Sequence, residues 1–182
     1  MKALKIVGII VLGLVGVVLI LGLIAPKAYQ VERFVIINAP RAAVFPHLQY
    51  FDKHLAWSPW TEYDPNMKVD ISENDGTVGA TYHWTGNDQV GEGEQKITAI
   101  QPEERVDIDL HFLKPWESKS TTYLALDDAN DGTQVIWGIS GKMPFPENIF
   151  GLFMDMDAML GKDFDKGLNK LKTIVETSPA NQ

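Results

Sequence analysis

Apolar positions fall into three successive patterns along this chain. Residues 6–25, IVGIIVLGLVGVVLILGLIA, are aliphatic or glycine with no polar group. At a rise of about 1.5 Å per residue, twenty helical residues span roughly 30 Å, the thickness of bilayer hydrocarbon. We read the stretch as an uncleaved transmembrane anchor. A secretory signal peptide is the rival reading, with Lys2 and Lys5 as its basic start. The run is longer than a usual signal core, however, and Ala25 is followed by Pro26 rather than by an A-x-A site.

Beyond residue 28 a period of two takes over. YQVERFVIINAP (29–40) is a β-rich run closed by Asn38 and Pro40. APRAAVFPHLQYFDKHL (39–55) interrupts it with two short helices, because Pro46 forces a break. LAWSPWTEYDP (55–65) then reads as an irregular loop with much rigid aromatic surface. Alternation resumes in MKVDISEND (67–75), GATYHWTG (79–86) and GEQKITAI (93–100). RVDIDLHFL (105–113) is the clearest strand: Val106, Ile108, Leu110 and Phe112 share one face, and Arg105, Asp107, Asp109 and His111 share the other. SKSTTYLALDD (118–128) and GTQVIWGISGK (132–142) flank the hairpin signal ANDG.

The third pattern steps by three and four. Phe153, Met156, Leu160, Phe164, Leu168, Leu171 and Val175 make one apolar stripe, predicting a helix from Glu147 to about Thr177. An antiparallel sheet with one wet face needs cover for its apolar face, and this amphipathic helix is the cover available. The expected fold is therefore α+β: a curved antiparallel sheet of six to seven strands wrapped on a long C-terminal helix. The expected organisation is a short N-terminus (1–5), the anchor (6–25), one domain (29–177) and a disordered tail (178–182).

Charge narrows the partners. The chain carries −8, and every acidic residue lies beyond residue 25 while Lys2 and Lys5 precede it. The domain is thus more acidic than the whole, which argues against a nucleic-acid partner. Lys2 and Lys5 place the N-terminus in the cytoplasm by the positive-inside rule, and the domain in the periplasm or outside the cell. Cysteine is absent, which removes thiol catalysis and cysteine-ligated metal.

Catalytic constellations are weak. His47 and His54 are seven apart across Pro46, no HExxH occurs, and His83 and His111 fall on polar strand faces, so no metal or cofactor is expected. Ser58 has no G-x-S-x-G setting. DDANDG has Ala129 where a calcium loop needs a ligand and Gly138 where it needs the closing Glu. Asp155 and Asp157, two apart on a helix, point about 200° apart and cannot act on one atom. No catalytic residue is assigned.

The segments ERFVIINAPRAAVFPHL, WSPW, GATYHWTG, GTQVIWGISG and FDKGLNKLK together resemble the SRPBCC superfamily of START-like helix-grip proteins. The likeness is greatest to membrane-anchored bacterial members labelled polyketide cyclase/dehydrase-like, and it covers roughly residues 30–176. It implies an apolar cavity between sheet and C-terminal helix that binds lipids, sterols, polyketides or other hydrophobic molecules. It implies no single activity, since members include transfer proteins, cyclases, hormone receptors and chaperone co-factors. Periodicity alone reads the apolar residues as packed core. The resemblance makes a ligand-binding wall of Trp57, Trp60, Tyr63, Tyr82, Trp84, Leu110, Phe112, Trp137, Phe153, Met156 and Leu160. The leading expectation is a membrane-tethered binding protein for a hydrophobic small molecule or lipid. The first alternative is a cyclase, dehydratase or hydrolase using a polar group among His54, Tyr63, Tyr82 and Glu94. The second is a regulatory protein whose cavity is vestigial.

Overall fold

A computed structural model describes residues 2–178; the expected tail beyond Ser178 lies outside the described residues. Helix α1 (Lys2–Ile24) carries the apolar run, and its residues are exposed along most of its length. It is long and apolar enough to cross a membrane. Strand β1 (Ala28–Ile37) follows after three residues. Four short helices come next: α2 (Arg41–Val44), α3 (Pro46–Gln49), α4 (Phe51–Trp57) and α5 (Trp60–Tyr63). Strands β2 (Lys68–Ile71), β3 (Thr81–Thr85), β4 (Glu92–Gln101), β5 (Arg105–Lys114), β6 (Ser118–Ala129) and β7 (Gly132–Lys142) form a meander. A 3₁₀ turn (Glu147–Leu152) leads to α6 (Met156–Glu176).

The seven strands form one antiparallel sheet in the order β1-β7-β6-β5-β4-β3-β2. β1 and β2 are thus opposite edges, and the short helices carry the chain from one to the other. Alternation sets the faces: Val106, Ile108 and Leu110 are buried on β5, as are Leu124 and Leu126 on β6, and Val135, Trp137 and Ile139 on β7. Phe164, Leu168, Leu171 and Val175 of α6 close over them. Register shifts in β4, at Glu92/Gly93 and Ile97/Ala99, bend the sheet as bulges do. At Gly93 the Trp84 ring and the His111 carbonyl leave no room for a Cβ, so glycine is what lets Trp84 lie against β4.

Two expectations are corrected. LAWSPWTEYDP is not irregular: Trp57 ends α4 and Trp60 begins α5, with the break confined to Ser58 and Pro59, since Pro59 cannot donate an amide into α4. Nor does one helix run from Glu147. The segment to Leu152 is a 3₁₀ turn, and α6 starts anew where Asp155 caps it by accepting from the Ala158 amide at 3.0 Å.

Candidate ligand cavity

The pleat of β3, β5, β6 and β7 aims Tyr82, Trp84, Leu110, Phe112, Thr122 and Trp137 at α4–α5 and α6. Those side chains, with Phe51, His54, Trp57, Trp60, Met156, Leu160 and Phe164, enclose a cavity of about 300 Å³. Its walls are rings at well-defined angles. Trp137 stacks on Phe164 at 4.1 Å and 4°, while Trp57 and Trp60 meet Trp137 edge-on at 5.1 and 5.6 Å. Trp84 and Phe112 form a further edge-to-face pair at 5.7 Å. Such pairs add about 0.5–1.5 kcal/mol each beyond area burial, so the walls are stiff.

One end of the cavity is wet. Phe51, Ile108 and Leu124 are buried, whereas Phe112, Met156 and Leu160 are half-buried and Ser118 and Gln89 are exposed. The mouth therefore lies where β1 begins, β5 ends and β6 begins. Tyr29 at the start of β1 also lines it, only five residues after α1 ends.

Several polar groups around the cavity are satisfied by the protein. Trp57 Nε1 donates to the His47 carbonyl at 3.1 Å, and Trp84 Nε1 to the Val90 carbonyl at 3.0 Å. Trp137 Nε1 donates to Thr122 Oγ1, whose own proton goes to the Gly138 carbonyl. Two groups differ. The Tyr82 hydroxyl has no hydrogen-bond partner among the described residues, and burial pushes it up to about 12. His54 donates from Nε2 to the Leu48 carbonyl at 2.9 Å, which leaves Nδ1 as an acceptor. Both side chains pack on Phe51, with centroids 5.6 and 5.5 Å away. The deep end of the cavity thus holds a spare donor on Tyr82 and a spare acceptor on His54, with the Gln95 amide on the neighbouring strand opposite Tyr82.

Burial lowers His54 to about 4, more than the Leu48 hydrogen bond and the charges of Asp75 and Asp52 raise it. A depressed histidine binds fewer protons folded than unfolded, so its stability contribution is complete above pH 6.5 and declines as pH falls toward 4. The expected loss is about 3 kcal/mol from this residue. His47, also lowered by burial and then by Lys53, acts in the same direction. His54→Gln keeps a donor and removes the titration; urea unfolding at pH 7 and pH 4.5 should show a smaller difference than in wild type. An unchanged difference would mean that His54 is not the acid-sensitive group.

Nine of the eleven sequence-derived residues line the cavity; Tyr63 and Phe153 do not. Tyr63 sits on the one-turn α5 and turns outward, donating to Asp163 Oδ1 at 2.5 Å. Beside it Glu62 pairs with Lys166 and Lys170, strapping α5 to α6 from outside. Phe153 precedes the α6 cap and is 77% exposed. Glu94 also lies outside, because β4 presents Gln95 inward instead. The sequence reading omitted Phe51, Phe164 and Thr122 from the wall, although Phe164 was on the predicted stripe. A second depression, about 470 Å³ and open to solvent, lies at the far end of the sheet around Asn38, Arg41, Asp128 and Thr133. Its Arg41 is already held by Asp128 and the Glu103 carbonyl. Among the described residues no three His, Asp or Glu side chains are grouped to hold a metal ion.

The family described as "Polyketide cyclase / dehydrase and lipid transport" matches residues 28–176. The chain belongs to that family. Its fold is the helix grip of the SRPBCC superfamily. Among solved structures it is similar to the Aha1 dimer from Colwellia psychrerythraea, at 20% identity and TM-score 0.59, over 83% of this chain and 98% of that one. It is similar to ginseng major latex-like protein 151 from Panax ginseng, at 14% identity and TM-score 0.57, over 82% and 98%. It also resembles the di-domain ARO/CYC StfQ from the steffimycin biosynthetic pathway, at 10% identity and TM-score 0.60, over 82% of this chain and 51% of that chain. At these identities the likeness is one of fold. No curated protein sequence matches the chain.

Proposed function

We propose that this family member is a membrane-tethered binding protein that holds an apolar small molecule, or one lipid chain, in the cavity between sheet and α6. The observation that carries the reading is the aromatic enclosure, whose floor holds the unpartnered Tyr82 hydroxyl and the spare acceptor of His54. Its volume lies at the lower end of ligand sites, which favours a compact ring system or single chain over a whole two-chain lipid. The spare donor and acceptor favour a molecule bearing an oxygen at its buried end. Residues 6–25 serve as the single-pass anchor of the domain at 29–177. Lys2 and Lys5 favour a cytoplasmic N-terminus, which puts the cavity on the opposite side of the membrane.

Catalysis is the second reading, favoured by the polar pair at the cavity floor and by the family's cyclase members. The physical chemistry weighs against it. A general acid or base works best with a pKa near the operating pH. Tyr82 near 12 and His54 near 4 are both neutral and inert at pH 7. They suit recognition of a hydroxyl or carbonyl better than proton transfer.

Tyr82→Phe tests the recognition role, since it removes only the hydroxyl. Binding of 2-naphthol to the detergent-solubilised full chain should weaken by about 1.4 kcal/mol, roughly tenfold, while naphthalene binds as before. Equal changes for both probes, followed by tryptophan fluorescence, would show that Tyr82 reads no oxygen.

A further inference from the structure

We propose that the apolar rim around the cavity mouth sits in the interfacial layer of the bilayer that holds α1, so that the cavity opens directly onto lipid. This rests on the anchor reading of α1. Three observations carry it.

The first is topology. α1 leads directly into β1, and register places the beginning of β1 beside the end of β7, the beginning of β6 and the end of β5 (Ala28↔Lys142, Ser120↔Gly141, Phe112↔Ser118). The anchor and the cavity mouth therefore share one end of the sheet.

The second is a direct joint between anchor and rim. Asn148, 1% exposed, donates from Nδ2 to the Gly22 carbonyl at 2.7 Å. The Phe145 ring covers Gly22 so closely that no Cβ fits there. The last turn of α1 is thereby held on the segment that carries the rim. Lipid around α1 must meet that segment.

The third is composition. Phe145, Phe150, Phe153, Met154 and Met159 are exposed around this joint, Phe150 at 67% and Phe153 at 77%. Trp116, on the β5–β6 turn at the same end, is 81% exposed. So many large apolar side chains in water mark an interaction surface, and Trp and Phe are the residues expected at headgroup depth. Charge agrees. Lys27, Lys68, Lys114, Lys119 and Lys142 stand at this end against Asp88, Glu92, Glu117, Glu147, Asp155 and Asp157, close to balance. The far end carries Glu103, Glu104, Asp127, Asp128 and Asp131, so the acidic excess faces away from an anionic surface.

The absence of native cysteine makes a clean test possible. Phe150→Cys, Phe153→Cys, Asp127→Cys and Leu12→Cys are each labelled with the environment-sensitive dye NBD in the full chain. The labelled proteins are reconstituted in vesicles of phosphatidylethanolamine and phosphatidylglycerol, with or without lipids carrying a nitroxide near the headgroup. Labels at 150 and 153 should show blue-shifted emission and lose fluorescence to the nitroxide, while the label at 127 does neither. Water-like emission at 150 and 153, with the label at 12 buried in lipid, overturns the inference and leaves the anchor standing. A blue shift without nitroxide quenching also overturns it, since the cover is then protein. Equal quenching at 127 and 153 does the same. A label at 12 that lipid does not reach removes the anchor reading itself.

Discussion

Replacing Trp57 by Ala is expected to destabilise the domain by about 3–5 kcal/mol, whereas Trp60→Ala costs roughly half as much or less. Trp57 is 1% exposed, packs on His54 and Trp137, and satisfies the His47 carbonyl. Its loss extends the cavity into the buried core and leaves an acceptor without its donor, and the midpoint of thermal unfolding should fall by on the order of 10 °C. Trp60 is only half-buried and meets Trp137 and Phe164 from the cavity side. Removing it enlarges a space that already exists, so the main consequence is weaker ligand binding. Both tryptophans of WSPW line the cavity, but Trp57 is also part of the fully buried core, whereas Trp60 is wall alone. Calorimetry on both variants decides the matter. Equal losses of stability would show that both rings are core.

Ser118→Trp is expected to weaken ligand binding at least about tenfold, with a stability change within about 0.5 kcal/mol. Ser118 is exposed at the start of β6, opposite Phe112, and lines the cavity mouth. An indole there occupies the entrance without displacing any buried side chain. The comparison of stability and binding is the informative part. Binding that persists in a normally folded Ser118→Trp protein would place the ligand elsewhere.

The strands were legible because one wet face leaves a period of two. RVDIDLHFL gave β5 its faces, and ANDG marked the two-residue connection between β6 and β7. The stripe Met156, Leu160, Phe164, Leu168, Leu171 and Val175 likewise marked α6. Errors arose where elements are too short to show a period. A one-turn helix does not reveal its inward side, so Tyr63 was placed in the wall when it faces Asp163. Phe153 fell on the stripe by spacing, but Asp155 starts α6 two residues later and leaves Phe153 outside. The Glu147–Leu152 segment has a helical composition, yet it is tied down by Asn148 to Gly22, a contact 126 residues apart in sequence that no local pattern encodes. The polar floor was half legible: His54 and Tyr82 were two of the four polar candidates, but nothing local shows that they lie together. His54 and Tyr82 become a pair only through Phe51, which packs against both.

Native mass spectrometry of the full-length protein, released from detergent beside its Ser118→Trp variant, tests the central claim most directly. The account predicts a single apolar molecule bound to wild type and lost from the variant, since only the cavity mouth differs. Wild type that flies empty would contradict it, as would an adduct retained equally by both proteins.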